Sequence, residues 1–373
     1  MNVLILTGKF GMGHLAAACS LRQQLLQGFP DATVTVEDFL AYVLPNASAA
    51  IYKIFDLVVT HGSHLFNTYY KLTALGHADT RPPMEGLFLY KLAELLEKRR
   101  PDVVIATHPL CAQIVSRLKE EVARKENRCL DLPLITCITD VSSHPEWINR
   151  NTDCYLVPSS EVGRNLEQKG VSAARVCVAG IPVREEFRRL EEKRAAINPE
   201  NRKGTELLIM GGGLGLLPGN RSFYDALHRI PNVHITVITG HNEKLFRKLD
   251  GCWENVQVLG YVDRVWEYLM TADMIVTKPG GITLFESIYA KVPIFVWPPS
   301  LCQECSNARW LLEQGIGWVA ERKDCAEDIR KILTDKMSLV RAAACMEQVQ
   351  RQLEAEAVSR LMEVIAASQE VAA

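Results

Sequence analysis

The sequence predicts two doubly wound, Rossmann-like α/β lobes, each a parallel sheet covered on both faces, with a cleft between them. Three observations carry this. Short, β-branched, nearly continuous apolar runs alternate with amphipathic stretches, and the scheme runs twice along the chain. Each half follows its first strand with a glycine loop. Between the halves, Glu185–Gly204 is dense in Arg, Lys and Glu, and no strand fits there. A chain of 373 residues is long enough for two separate cores.

In the first half the strands are expected at Val3–Thr7, Thr33–Val36, Val103–Thr107, Leu134–Thr139, Tyr155–Val157 and Arg175–Val178. Helices are expected at Ala16–Gln27, Leu87–Arg99 and Ala112–Lys125. The second half repeats with strands at Glu206–Met210, Ile235–Thr239, Val256–Leu259, Met274–Thr277 and Ile294–Trp297. Its helices are Glu243–Leu249, Arg264–Met270, Leu284–Ala290 and Ser306–Gln314. This gives a first domain over 1–190 and a second over 200–350. A helix within 351–373 is expected to pack back on the first domain.

Composition narrows the function. A hydrophobic share of 48% indicates globular cores rather than disorder. The net charge of -2, from 42 basic and 44 acidic residues, argues against a dedicated nucleic-acid binder. The 11 cysteines are scattered singly through apolar runs, as buried free thiols of a cytoplasmic protein would be. No secretory leader is read before the opening strand. Nor is any apolar run of about eighteen residues present, so membrane contact is expected to be peripheral. Phe39–Leu75, rich in Tyr, Phe, Leu and Val, reads mainly as core helix, with part of one face free for acyl chains. Lys98-Arg99-Arg100 suits anionic head groups or is simply solvated.

The glycine loops carry the chemistry. Gly8-Lys-Phe-Gly11-Met-Gly13-His14 opens a helix, where backbone N–H groups favour anions. Gly11-x-Gly13-x-x-Ala16, with Glu37 at the end of the next strand, also fits a dinucleotide fingerprint. His14 would crowd a pyrophosphate but suits a general base near neutral pH. The plain alternative is a helix-start histidine satisfied by solvent. Asp140, after the strand from Leu134, can orient His14 or act as the base itself. In the second half, the loop through Gly212 and Gly213 and the turn Gly240-His-Asn242 follow successive strands.

The most informative segment is Thr277-Lys-Pro279-Gly280-Gly281-Ile-Thr283-Leu-Phe-Glu286. A glycine turn at a helix start can hold a diphosphate, and a carboxylate one turn in can accept from a ribose diol. Thr283-x-x-Glu286 also reads as a capping box. Gln303 would sit at a strand's C-terminal edge, its amide free for sugar hydroxyls. Cys302-x-x-Cys305 and His61-x-x-His64 lack the further ligands a metal needs. No Asp-x-Asp occurs, which disfavours a metal-held diphosphate. Helix dipoles and a cation such as Arg184 suit that role instead.

With these residues in place, the chain resembles glycosyltransferase family 28, in particular its monogalactosyldiacylglycerol synthases and processive diacylglycerol glucosyltransferases. The resemblance runs through Gly11-x-Gly13-His14-x-x-Ala17, Arg100-Pro-Asp-Val-Val-Ile105-x-Thr-His108-Pro109 and Thr139-Asp140-x-x-x-His144-Pro-x-Trp147. It continues through Gly180-Ile-Pro182-Val-Arg184, Gly260-Tyr261-Val262-Asp263, Thr277–Gly281, Glu286 and Gln303-Glu304-x-x-Asn307. It implies a GT-B fold and inverting, metal-independent transfer of a hexose from a UDP-sugar. No other cofactor is implied. The resemblance further implies a lipid acceptor such as diacylglycerol, met at the inner face of the cell membrane.

His14 and Asp140 match the family's candidate base positions. The donor-binding candidates are Gly13, Arg184, Gly212, Gly213, Gly240, Asn242, Tyr261, Val262, Pro279, Gly280, Gly281, Thr283, Glu286, Gln303 and Asn307. Of these, Glu286 is implied to bind the uridine ribose and Gln303 the sugar. One departure is Cys302, where the family usually has glycine; it leaves glucose against galactose open. Transfer of GlcNAc to a polyprenyl-linked precursor, epimerisation of a UDP-sugar and a sensing protein without turnover stand as alternatives.

Overall fold

The computed structural model describes residues 1–74, 84–190, 204–322, 325–353 and 363. It contains two compact units, Met1–Arg184, with which Leu353 groups, and Glu185–Gln352. Most of the stretch between the halves, and the helix expected within 351–373, lie outside the described residues.

In the first unit, β1 (Asn2–Thr7) leads to α1 (Gly13–Gly28) and β2 (Thr33–Asp38). Four helices follow: α2 (Phe39–Val43), α3 (Ser48–His61), α4 (Ser63–Ala74) and α5 (Glu85–Arg99). Then come β3 (Val103–Ala106), α6 (Pro109–Glu126), β4 (Leu134–Cys137), β5 (Cys154–Val157), α7 (Ser160–Gln168) and β6 (Val176–Val178). All pairings are parallel, in the order β2-β1-β3-β4-β5-β6. Alternate residues of each strand feed opposite layers. Val3, Ile5, Val103 and Ile105 pack on Ala18, Leu21 and Leu25 of α1. Leu4, Leu6, Val104 and Ala106 pack on Phe39, Leu92 and Ile114 from α2, α5 and α6. Burial on both faces is why β3, β4 and β5 read as unbroken apolar runs.

The second unit opens with a single helical turn, α8 (Glu185–Arg188), and then repeats the plan. Its elements are β7 (Thr205–Met210), α9 (Arg221–His228), β8 (Val233–Ile238), α10 (Glu243–Leu249), β9 (Val256–Leu259) and α11 (Val265–Thr271). They continue with β10 (Met274–Thr277), α12 (Gly281–Ala290), β11 (Ile294–Val296), α13 (Cys302–Glu313), β12 (Gly317–Val319), α14 (Ala326–Thr334) and α15 (Lys336–Arg351). The order is β12-β11-β10-β7-β8-β9, again all parallel. One side of the core joins Leu207, Ile209, Val237 and Val276 to Phe223, Leu245 and Ile329 from α9, α10 and α14.

Where strand order reverses, the loops leaving the two central strands part to opposite faces and open a crevice. In the first unit that point lies between β1 and β3, and in the second between β7 and β10.

Several expectations change. The edge strand β12 was not foreseen, because three half-buried residues, Gly-Trp-Val, give no period. Phe39–Ala74, the described part of the stretch expected as core helix, is not chiefly core. Phe39, Leu40 and Val43 of α2 are buried, but α3 buries only Ser48 and α4 buries nothing. Glu37 is not free for a ribose; it pairs with Arg99 at 3.1 Å, which also takes Arg99 out of a purely solvated charge run.

Candidate active site

The first switch point is built from side chains. Met12 caps α1 without a side-chain hydrogen bond, and His14 is the second residue of that helix. Its ring Nδ1 lies 2.8 Å from the carbonyl oxygen of Thr107, just past β3. A carbonyl only accepts, so Nδ1 carries the proton and Nε2 keeps a lone pair. Thr139 Oγ1 lies 2.8 Å from the same nitrogen. The Thr107 hydroxyl donates to Thr7 Oγ1 at 2.8 Å, fastening the two central strands at their ends. The solvent-satisfied alternative for His14 is thereby overturned: its partners are protein atoms.

Burial holds the His14 imidazole below its usual pKa, against the opposing pull of the Asp140 carboxylate and the Thr107 carbonyl. The positive end of α1 acts in the same direction as burial. His14 is therefore neutral at neutral pH, the form a base must have. His108 packs edge-on to it at 4.7 Å, and Trp147 lies 6.3 Å away. His108 caps α6, its Nδ1 accepting from the Leu110 N–H at 3.2 Å. Its pKa lies well below normal, through burial first and the neighbouring His14 second. The sequence pattern contained His108 without giving it a role; only the strand order brings it against His14.

The second switch point is built from backbone. Gly212 and Gly215 take positive φ values of 69° and 61°. A side chain on Gly215 would put Cβ 1.8 Å from the Thr239 carbonyl oxygen. Gly240, at φ 56°, lies so close to the loop that a Cβ would stand 2.5 Å from Gly213 O. Only glycine fits either position. Asn242 ties these turns together. Its Nδ2 donates to Gly215 O at 3.1 Å, and its Oδ1 accepts from Leu245 N at 3.0 Å, capping α10. The His241 N–H donates to Gly213 O at 2.9 Å, and the His241 ring stacks on Tyr261 at 4.5 Å.

Across the crevice, Gly280 is the N-cap of α12 and brings no side chain to accept from the helix's first N–H groups. The capping box does not form. Thr283 is the third helical residue and Glu286 the sixth, and both are buried. Asn307, fully buried, donates to Pro279 O at 2.8 Å and so holds the turn before the helix. Gln303 is the second residue of α13, not a strand-edge residue as expected; the loop Trp297–Leu301 separates it from β11. Lys278, present in the sequence pattern without a role, is the first residue past β10 and pairs with Glu304 at 3.2 Å. Cys302 and Cys305 share the first turns of α13, while His61 and His64 fall on separate helices. Among the described residues no cluster of three or more His, Cys, Asp or Glu could hold a metal.

Residues 14–183 match the family model for monogalactosyldiacylglycerol (MGDG) synthase, and residues 206–361 match the glycosyltransferase family 28 C-terminal domain. The chain belongs to glycosyltransferase family 28. Among curated members, it is 28% identical over 366 residues to a processive diacylglycerol beta-glucosyltransferase of Bacillus subtilis, covering 91% of this chain and 89% of the other. A namesake from Bacillus thuringiensis is 29% identical over 369 residues, covering 94% and 90%. Among solved structures, MurG of Acinetobacter baumannii superposes with a TM-score of 0.61 at 13% identity, covering 98% and 99%. The glycosyltransferase SnogD of Streptomyces nogalater gives 0.58 at 18%, with the same coverage. HepE of Anabaena, solved with UDP-glucose, gives 0.53 at 14%, covering 99% and 100%. At such identities these structures establish the fold, which is GT-B. No helix among the described residues is long and apolar enough to cross a membrane.

Proposed function

We propose that this protein transfers a hexose, with inversion, from a UDP-sugar to diacylglycerol or its glycosylated product at a membrane surface. The observation that carries the reading is the His14 ring. Thr107 fixes its Nδ1 as donor, leaving Nε2 to take the acceptor hydroxyl's proton. The oxygen then attacks the anomeric carbon as UDP leaves from the opposite face. Asp140 acts through its field on His14, stabilising the imidazolium that forms. The second unit holds the donor. The turn Pro279–Gly281 and the first N–H groups of α12, with Thr283, face the diphosphate, and Glu286 accepts from the ribose diol. Gln303 addresses the sugar hydroxyls.

The other proposed donor contacts fall into two kinds. Gly212, Gly213, Gly240 and Asn242 shape the cradle, while Asn307 fixes its facing turn. Tyr261, Val262, Gly13 and Arg184 remain contacts proposed from the family pattern. Glucose is the sugar in the names of the relatives that match along both units.

The acceptor side has the surface a lipid needs. Leu65, Tyr69 and Leu72 recur at i, i+4 and i+7 on α4 and are 68%, 57% and 64% exposed. Ile54 and Leu57 of α3, one turn apart, are exposed as well. A water-facing apolar stripe of this kind is suited to an interface. This supports association with a membrane surface.

The test is incubation with UDP-glucose, UDP-galactose and UDP-GlcNAc, each with diacylglycerol vesicles or a polyprenyl-linked acceptor, read by mass spectrometry. The reading expects hexosyl-diacylglycerol from UDP-glucose. Product only on the polyprenyl acceptor, or a UDP-sugar isomer made without acceptor, would contradict it.

A further inference from the structure

We propose that the ammonium of Lys278 is the cation that grips the donor's diphosphate, held in position by Glu304; the inference rests on the donor reading above. Lys278 is the first residue past β10, at the point where the second sheet reverses its order. Its stem runs between the two glycine turns. Its Cε lies 3.3 Å from where a Cβ on Gly212 would stand, and 4.0 Å from the equivalent point on Gly280. The glycines keep that corridor open, so the backbone that would meet the phosphates is also the backbone that flanks Lys278.

The charge arrangement fits an anion. Nζ lies 3.2 Å from Glu304 Oε1, while the Lys278 side chain keeps 29% of its surface exposed. Glu304 is 6% exposed and sits in the first turn of α13. A buried carboxylate left without a cation is costly, so Glu304 fixes where the ammonium rests. An ammonium has three donors, and this pair uses one. Two are left for phosphate oxygens arriving at the start of α12, where Gly280 supplies no competing side-chain acceptor. Glu304 adjoins Gln303, so the residue that positions the cation is chained to the residue proposed for the sugar.

The cation does more than bind. UDP gains negative charge as the glycosidic bond breaks, so a fixed ammonium stabilises the transition state more than the ground state. Lys278 therefore contributes to kcat as well as to donor affinity. Because it touches phosphate and not uridine, its effect must depend on the number of phosphates.

The experiment measures binding of uridine, UMP and UDP by calorimetry, and turnover with UDP-glucose, for wild type, Lys278→Met and the double variant Lys278→Met/Glu304→Gln. The double variant removes both charges, so it remains informative if an unpaired Glu304 unfolds the single one. The expected result is UDP binding weakened about 10- to 100-fold in both variants, the strength of a charge-assisted contact. UMP should weaken less, uridine should be unchanged and kcat should fall. Glu304→Gln alone should lower UDP affinity less than Lys278→Met, and add nothing in its background. Unchanged UDP affinity in the double variant, or equal losses for uridine and UDP, would overturn the assignment while leaving the donor reading intact. A wild type that binds neither UDP nor uridine would overturn both.

Discussion

At the mouth of the first sheet, the segments after β1, β3 and β4 bring two imidazoles, a threonine network and an indole together. At the mouth of the second, the loops after β7, β8 and β10 bring together glycine turns and a helix start capped by glycine alone. Both are topological switch points of parallel sheets, yet one is furnished with side chains and the other with backbone. The difference follows from the chemistry proposed for each. A proton must be moved by a group with a tunable pKa, which only a side chain offers. A diphosphate is wide, anionic and common to all donors, and it is held best by N–H groups that cannot titrate.

The contrast breaks most visibly if the backbone site tolerates side chains. Gly240→Ala should abolish UDP binding and lower thermal stability, because its Cβ would meet Gly213 O at 2.5 Å with φ at 56°. The strained conformation alone costs about 1–3 kcal/mol. A variant with wild-type melting and UDP affinity would show that the loop is not built around that approach. Next in size, Glu286→Ala should lower uridine and UDP affinity alike, by about 10- to 100-fold, as a lost hydrogen bond to a charged group would. A loss confined to UDP would move Glu286 from the ribose to the phosphates.

Leu65→Ser combined with Leu72→Ser should reduce flotation with diacylglycerol vesicles roughly tenfold, about 1.4 kcal/mol, because a leucine is worth about 1.5–3 kcal/mol when fully buried and an interfacial side chain is buried only in part. Turnover on a detergent-dispersed acceptor should be retained. Full flotation by the variant would place the membrane contact elsewhere.

The smallest effect is a pH shift. Activity requires neutral His14, so kcat/KM should rise with pH on the acid side, with a midpoint below 6.5 because burial lowers that pKa. The Asp140 charge pulls the value upward, so Asp140→Asn should move the midpoint lower still. A midpoint that rises on substitution would contradict the assigned sign.

The strand–helix alternation was legible because parallel strands buried on both faces leave unbroken apolar runs such as Val103–Ile105. The glycine turn before α12, proposed as the donor's, was legible as a turn because paired glycines at a helix start leave the backbone bare. What the sequence hid depends on packing between distant segments. Nothing local distinguishes His108 from any helix-capping histidine until β1 and β3 are neighbours. Lys278 looked like an ordinary basic residue until Glu304 lay beside it. The Thr283–Glu286 spacing imitated a capping box because i, i+3 placement on a helix face looks the same wherever the helix begins, and Gly280 begins it. The apolar content of α3 and α4 imitated core, since hydrophobicity alone does not say whether protein or lipid covers a face.

The division of labour between the two sites is tested most directly by His14→Ala, assayed in one preparation for turnover and for UDP affinity. Turnover should fall on the order of 10²-fold or more while UDP binds as in wild type. Undiminished turnover, or UDP affinity falling in step with it, would contradict a proton-transfer site separate from the donor's grip.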